Sequence, residues 1–128
     1  MIAIMAHPST QMITIDVKNE LCSLKVIAHC QSKDDDLRAQ VLDTGSALSW
    51  NFTARYGVGA TVFWCNLAVR DKRISFTAFN ADDDKNDIYW VVRKEGVYTR
   101  IYGPAAKFQF GWRNGALSVA ESYCYGGP

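Results

Sequence analysis

The chain has 128 residues, 48% of them hydrophobic and 21% charged, and a formal net charge of +1. That length holds one domain with a real core and leaves no room for two. With 14 basic against 13 acidic side chains there is no electrostatic case for nucleic acid, and no apolar run is long enough to insert in a membrane.

The opening MIAIMAHPSTQ is weakly apolar but lacks the basic stretch and full apolar run of a secretory leader. Residues 1–10 are therefore expected to be a remnant or flexible segment, any leader having been removed. QMITIDVKN then sets Ile13, Ile15 and Val17 against Met12, Thr14 and Asp16, which predicts a strand with one apolar face. SLKVIAHC is apolar enough to read as a strand buried on both sides, and SKDDDL breaks it with charge. In LSWNFTA, Trp50 and Phe52 share one face while Ser49, Asn51 and Thr53 share the other. ATVFWCNLAV reads as a central strand with RISFTAFN as its hairpin partner, and ADDDKND forms a second charged loop. IYWVVR and VYTRIY flank a turn at Lys94-Glu95-Gly96. KFQFGW and LSVAESY flank Arg113-Asn114-Gly115, where Asn-Gly is the strongest short hairpin signal.

No apolar pattern of helical period runs beyond a turn or two. Short strands at this spacing predict an all-β chain, a single-domain antiparallel β-sandwich with an extra C-terminal hairpin. The sandwich is expected over 11–112 and the extension over 113–128.

Six features carry possible chemistry. Asp43-Thr44-Gly45-Ser46 is the signature of aspartic peptidases, and a chain this short would have to work as a retropepsin-like homodimer with one Asp43 from each copy. RIYGP, residues 100–104, mimics the second segment of such an enzyme. The glycine-rich flap is missing, because Gly57 and Gly59 come too soon and TVFWCNLAV occupies its place. Asp, Thr, Gly and Ser all favour turns, so a turn is expected. The carboxylates Asp82, Asp83, Asp84 and Asp87 suggest calcium, but an EF-hand starting at Asp82 would put Asp87 where glycine is needed and Arg93 where glutamate is needed. No metal and no cofactor is expected. Trp50, Trp64, Trp90 and Trp112 would suit a carbohydrate-binding sandwich if they shared a surface, though each lies in a strand pattern and reads as core. Cys22, Cys30, Cys65 and Cys124 match no zinc spacing and are disulfide candidates, with three pairings open. His29 beside Cys30 on a strand points to the opposite face and cannot activate it. Asn51-Phe52-Thr53 is an N-glycosylation sequon with Asn51 turned away from the apolar face.

Several stretches, in their order, carry a resemblance. They are HCQSKDDDL, the VL and turn glycine Gly45, the strand with Trp50 and Phe52, TVFWC, YWVVRKEGVY and Trp112. Over roughly residues 12–112 they resemble the plant self-incompatibility S-protein family, also called S-protein homologues. The resemblance implies a small secreted β-sandwich with disulfides that acts as an extracellular ligand in cell–cell recognition, and not an enzyme. Family members usually carry cysteines where Ile88 or Tyr89 and Phe110 stand here, so Cys30 and Cys65 are expected to lack their usual partners. The expected partner is a membrane receptor or other cell-surface protein, bound by a monomer. Its contacts are expected from two acidic loops, Lys33, Asp34, Asp35 and Asp36 in one, and Asn80, Asp82, Asp83, Asp84, Lys85 and Asp87 in the other.

Overall fold

The computed structural model describes residues 10–100 and 105–118. The strands are β1 (Thr10–Asn19), β2 (Val26–Ser32), β3 (Asp36–Leu42), β4 (Ala47–Arg55), β5 (Val62–Val69), β6 (Lys72–Asn80), β7 (Ile88–Arg93), β8 (Gly96–Arg100) and β9 (Lys107–Gly111). They form a sheet in the order β4-β1-β7-β8-β9 and a second in the order β3-β2-β5-β6. All pairings are antiparallel except β1 with β7, which run parallel from Ile15 opposite Ile88. The fold is thus the expected all-β sandwich, with one parallel pair that the sequence pattern did not announce.

Period-2 alternation builds the core. Ile13, Ile15 and Val17 of β1 are fully buried, and each contributes roughly 1.5–3 kcal/mol by leaving water. They face Val26, Ala28 and Cys30 of β2 and Phe63, Cys65 and Leu67 of β5 across the interior. Phe63 packs on Phe52 with centroids 4.6 Å apart, and Phe76 packs on Trp90 at the same distance.

One expectation is corrected and one strand was missed. The segment read as buried on both sides is buried on one, because Ile27 and His29 of β2 lie on the outer face of an outer sheet. Strand β3 went unread, since its residues DLRAQVL are nearly all exposed at a sheet edge and show no alternation. At the C-terminus the Asn114-Gly115 turn forms, closed by the Gly115 N–H on the Trp112 carbonyl at 3.1 Å. Among the described residues, β9 pairs with β8 alone. Leu117 donates its N–H to the Lys94 carbonyl and joins the core. The remainder of the expected hairpin arm lies outside the described residues.

Gly96 has a specific steric reason. Its φ is +148°, and a Cβ there would stand 1.9 Å from the Phe110 carbonyl oxygen, so β8 and β9 approach only because no side chain intervenes.

Candidate recognition surface

The strand registers bring three loops to one end of the sandwich. Ser32 pairs with Phe63 and Val62 with Asn80, so the β2–β3 turn, the start of β5 and the end of β6 are neighbours. Arg55 pairs with Thr10 in the other sheet, which places the 56–61 loop at the same end. Both acidic loops therefore lie together. The 56–61 loop stands between them.

Each loop is held by its own side chains. In the first, the Asp35 N–H donates to Ser32 Oγ at 3.0 Å and the Ser32 N–H donates to the Asp35 carbonyl. Asp36 Oδ1 accepts from the Arg38 N–H at 2.8 Å and lies 2.6 Å from His29 Nε2. The Arg38 N–H foremost, and then the His29 ring, hold the Asp36 carboxyl below the usual carboxylate range. In the second loop, Asp84 Oδ2 accepts from the Asn80 N–H and Asn80 Oδ1 accepts from the Asp82 N–H. Asp87 Oδ1 accepts from the Thr14 N–H at 2.7 Å, just before the parallel ladder begins. Lys85 donates Nζ to the Ala81 carbonyl and sits 4.4 Å from the Tyr56 ring centre, tying this loop to the middle one.

The acidic residues thus divide by role. Asp36, Asp84 and Asp87 hold the loops. Among the described residues no hydrogen bond or ion pair engages the carboxylates of Asp34, Asp35, Asp82 or Asp83, and all four are exposed. Lys33 is exposed beside the first pair. In the middle loop Val58 is 100% exposed between Gly57 and Gly59, an apolar tip at the same end as the acidic loops. An apolar residue bracketed by two glycines was the signal for it in the sequence.

Two clefts open at this end. One of about 300 Å³ lies between the 32–35 turn and the 53–61 segment, with Lys33 and Arg55 at its rim and Phe52 and Phe63 at its base. The other, about 380 Å³, runs beneath Asp83, Asp84 and Asp87 with Ile88, Trp90 and Phe110 inside. Among the described residues, no three His, Cys, Asp or Glu side chains converge to hold a metal ion.

The other candidate residues lie elsewhere. Asp43 is at the opposite end, as the first residue of a type II turn. Its carbonyl accepts the Ser46 N–H at 2.9 Å, and Gly45 stands third with φ +84°. Its carboxylate, exposed, pairs with Lys25. The four tryptophans do not share a surface: Trp90 and Trp112 are buried, Trp50 packs inward on Phe63, and Trp64 faces outward on the second sheet. Cys30 and Cys65 are directly opposite on β2 and β5 and form a disulfide with Cα atoms 4.0 Å apart. Both were disulfide candidates whose usual partner positions hold other residues, and they pair with each other instead. Cys22 is also disulfide-bonded, and Cys124 lies outside the described residues. Asn51 is exposed at the centre of β4.

With the sandwich, the cross-sheet order and the loop cluster in place, the chain can be set beside known proteins. The model of the family described as plant self-incompatibility protein S1 matches residues 14–112. The chain belongs to this family. It is 37% identical over 97 residues to S-protein homolog 21 of Arabidopsis thaliana, an alignment covering 66% of this chain and 71% of that protein. Self-incompatibility protein S1 of Papaver rhoeas is 30% identical over 76 residues, covering 55% of this chain and 54% of its own length. S-protein homolog 2 of Arabidopsis thaliana is 28% identical over 96 residues, or 59% of its length. Both acidic loops and the 56–61 loop of this S1-family chain fall inside the matched range. Among its described residues no helix is long and apolar enough to cross a membrane.

Proposed function

We propose that this chain is a small secreted ligand without catalytic activity, bound by a membrane receptor or other cell-surface protein in cell–cell recognition. The observation that carries this reading is the three-loop end. Four outward carboxylates, Asp34, Asp35, Asp82 and Asp83, share this end with the exposed Val58, while other side chains of the same loops hold the backbone in place. The carboxylates of this end outnumber Lys33, Arg55 and Lys85, and such a net acidic surface speeds encounter with a basic partner, while an exposed apolar tip supplies burial on docking. Ordered loops also reduce the entropy lost on docking. Family membership and the Cys30–Cys65 disulfide support an extracellular setting.

The test is Asp82→Lys with Asp83→Lys, which leaves the capping residues Asn80, Asp84 and Asp87 untouched. Labelled protein is bound to plant cell membranes at several salt concentrations. The double variant is expected to keep its melting temperature and lose about tenfold in affinity at low salt, with the gap narrowing as salt screens the parent's attraction. Equal binding by variant and parent at low salt would place recognition on another surface.

A further inference from the structure

Sheet edges invite pairing with other chains, and both edges of the second sheet, β3 and β6, are blunted. Strand β3 begins with Asp36, carries Arg38 at φ +66° and shifts register against β2. Beside β6, the Arg113 N–H bonds the Arg73 carbonyl and Lys72 reaches the Asn114 carbonyl. Strand β4 has none of these devices. It is nine residues long, pairs with β1 without a register shift, and carries no charge from Ala47 to Ala54.

Its open side can be assigned residue by residue. Thr14, opposite Asn51, turns its N–H away from β4 to Asp87, so this is a pair without mutual hydrogen bonds. Arg55, four positions on, likewise turns its N–H and carbonyl outward, where both are bonded by Thr61. By the period of two, Ser49, Asn51 and Thr53 also direct N–H and carbonyl to the open side. Among the described residues no strand or loop bonds them there. Asn51 sits at the middle of this bare stretch, exposed, in the sequon Asn51-Phe52-Thr53.

We propose that Asn51 carries an N-linked glycan whose bulk closes the β4 edge against pairing with a second copy of the chain. Asparagine side chains are neutral and small, so the unmodified residue is a poor guard. A glycan projecting from the centre of the edge blocks an approaching strand along its length. In the transfer, the Asn51 amide nitrogen bonds to C1 of the first N-acetylglucosamine, whose bond to the diphosphate of a lipid-linked oligosaccharide breaks. The lipid diphosphate leaves and the amide nitrogen gives up one proton. This must precede closure of the β1–β4 ladder, while the sequon is extended and free. The inference rests on the secretory route proposed above.

The experiment supplies a secretory leader, so entry to the pathway is assured and a failure here is separate from the question of natural export. The parent, Thr53→Ala, Asn51→Gln and Thr53→Lys are secreted, and their intact masses, melting temperatures and self-association are measured. The parent is expected to be a glycosylated monomer. Thr53→Ala and Asn51→Gln are expected to lack glycan, melt as folded proteins and self-associate at least about tenfold more tightly, the scale of one or two edge hydrogen bonds. Thr53→Lys also lacks the sequon but places a charge on the edge, and is expected to be monomeric again. A folded, secreted parent without glycan at Asn51 overturns the proposal. So does a glycosylated parent whose sugar-free variants associate no more than it does.

Discussion

Asn19 and Asp43 meet in the same corner of the molecule and do opposite work. Asp43 opens a motif known for catalysis, yet its carboxylate lies in solvent beside Lys25. Asn19 belongs to no motif and is fully buried at the end of β1. Its Nδ2 donates to the Leu24 and Leu42 carbonyls at 2.8 and 2.9 Å, and its Oδ1 accepts the Leu21 N–H at 2.8 Å. Its backbone N–H and carbonyl hold Ser46 and Gly45 of the turn itself. Within Asp43-Thr44-Gly45-Ser46 the working side chain is Thr44, whose hydroxyl donates to the Leu21 carbonyl at 2.6 Å and accepts the Ser23 N–H. A conspicuous sequence and a critical position are different properties, and burial with complete hydrogen bonding decides the second.

Substitution separates the two residues most sharply. Asn19→Ala would leave the Leu24 and Leu42 carbonyls and the Leu21 N–H without their partner, and is expected to destabilise by about 3 kcal/mol or more. Denaturant unfolding measures it; a loss under 1 kcal/mol would mean that water replaces the side chain. Glu20, the next residue, gives an intermediate case. Burial raises its carboxyl pKa, but hydrogen bonds and charge from Arg93 and Arg100 outweigh this and hold it below the ordinary 4.5. A carboxylate depressed in the folded state stabilises above its unfolded pKa, and that contribution fades as pH falls through the folded value. Glu20→Gln is expected to lose roughly 1–2 kcal/mol at neutral pH, between the values for exposed and buried pairs. Its melting temperature should also fall less steeply than the parent's below pH 4.5, with Asp36 supplying the acid dependence that remains. Parallel acid profiles would remove Glu20 from the account. Asp43→Asn stands last, within about 0.5 kcal/mol of the parent, as suits an exposed pair. A larger loss, or a pepstatin-sensitive cleavage that the substitution abolishes, would reverse the comparison.

The same contrast explains what could be read in advance. The alternation in β1, the central position of β5 and the β7–β8 hairpin were legible because a one-sided or buried strand writes its burial into its residues. Strand β3 was not, since an exposed edge strand has no burial to write. The Cys30–Cys65 bond depends on register between strands 35 residues apart, which no local pattern encodes. Both acidic loops were visible as charge runs. Their division into the holding residues Asp36, Asp84 and Asp87 and the outward residues Asp34, Asp35, Asp82 and Asp83 depends on which backbone N–H each carboxylate meets. Asn19 escaped notice because a polar residue at a strand end is ordinarily at the surface.

The parallel pairing of β1 with β7 has a consequence for the order of assembly. The first of the described strands sits inside its sheet, yet one of its two neighbours follows more than seventy residues later, as Thr14 and Asp87 show. The hairpins of the second sheet need only local closure, so they are free to form while the first sheet still lacks a side. During that interval the apolar face of β1 has half its ladder and no finished layer around it. Long-range closure of this kind slows folding and lengthens the exposure of unpaired strands. For a growing chain, the vulnerable stage ends only when Trp90 and its neighbours have emerged.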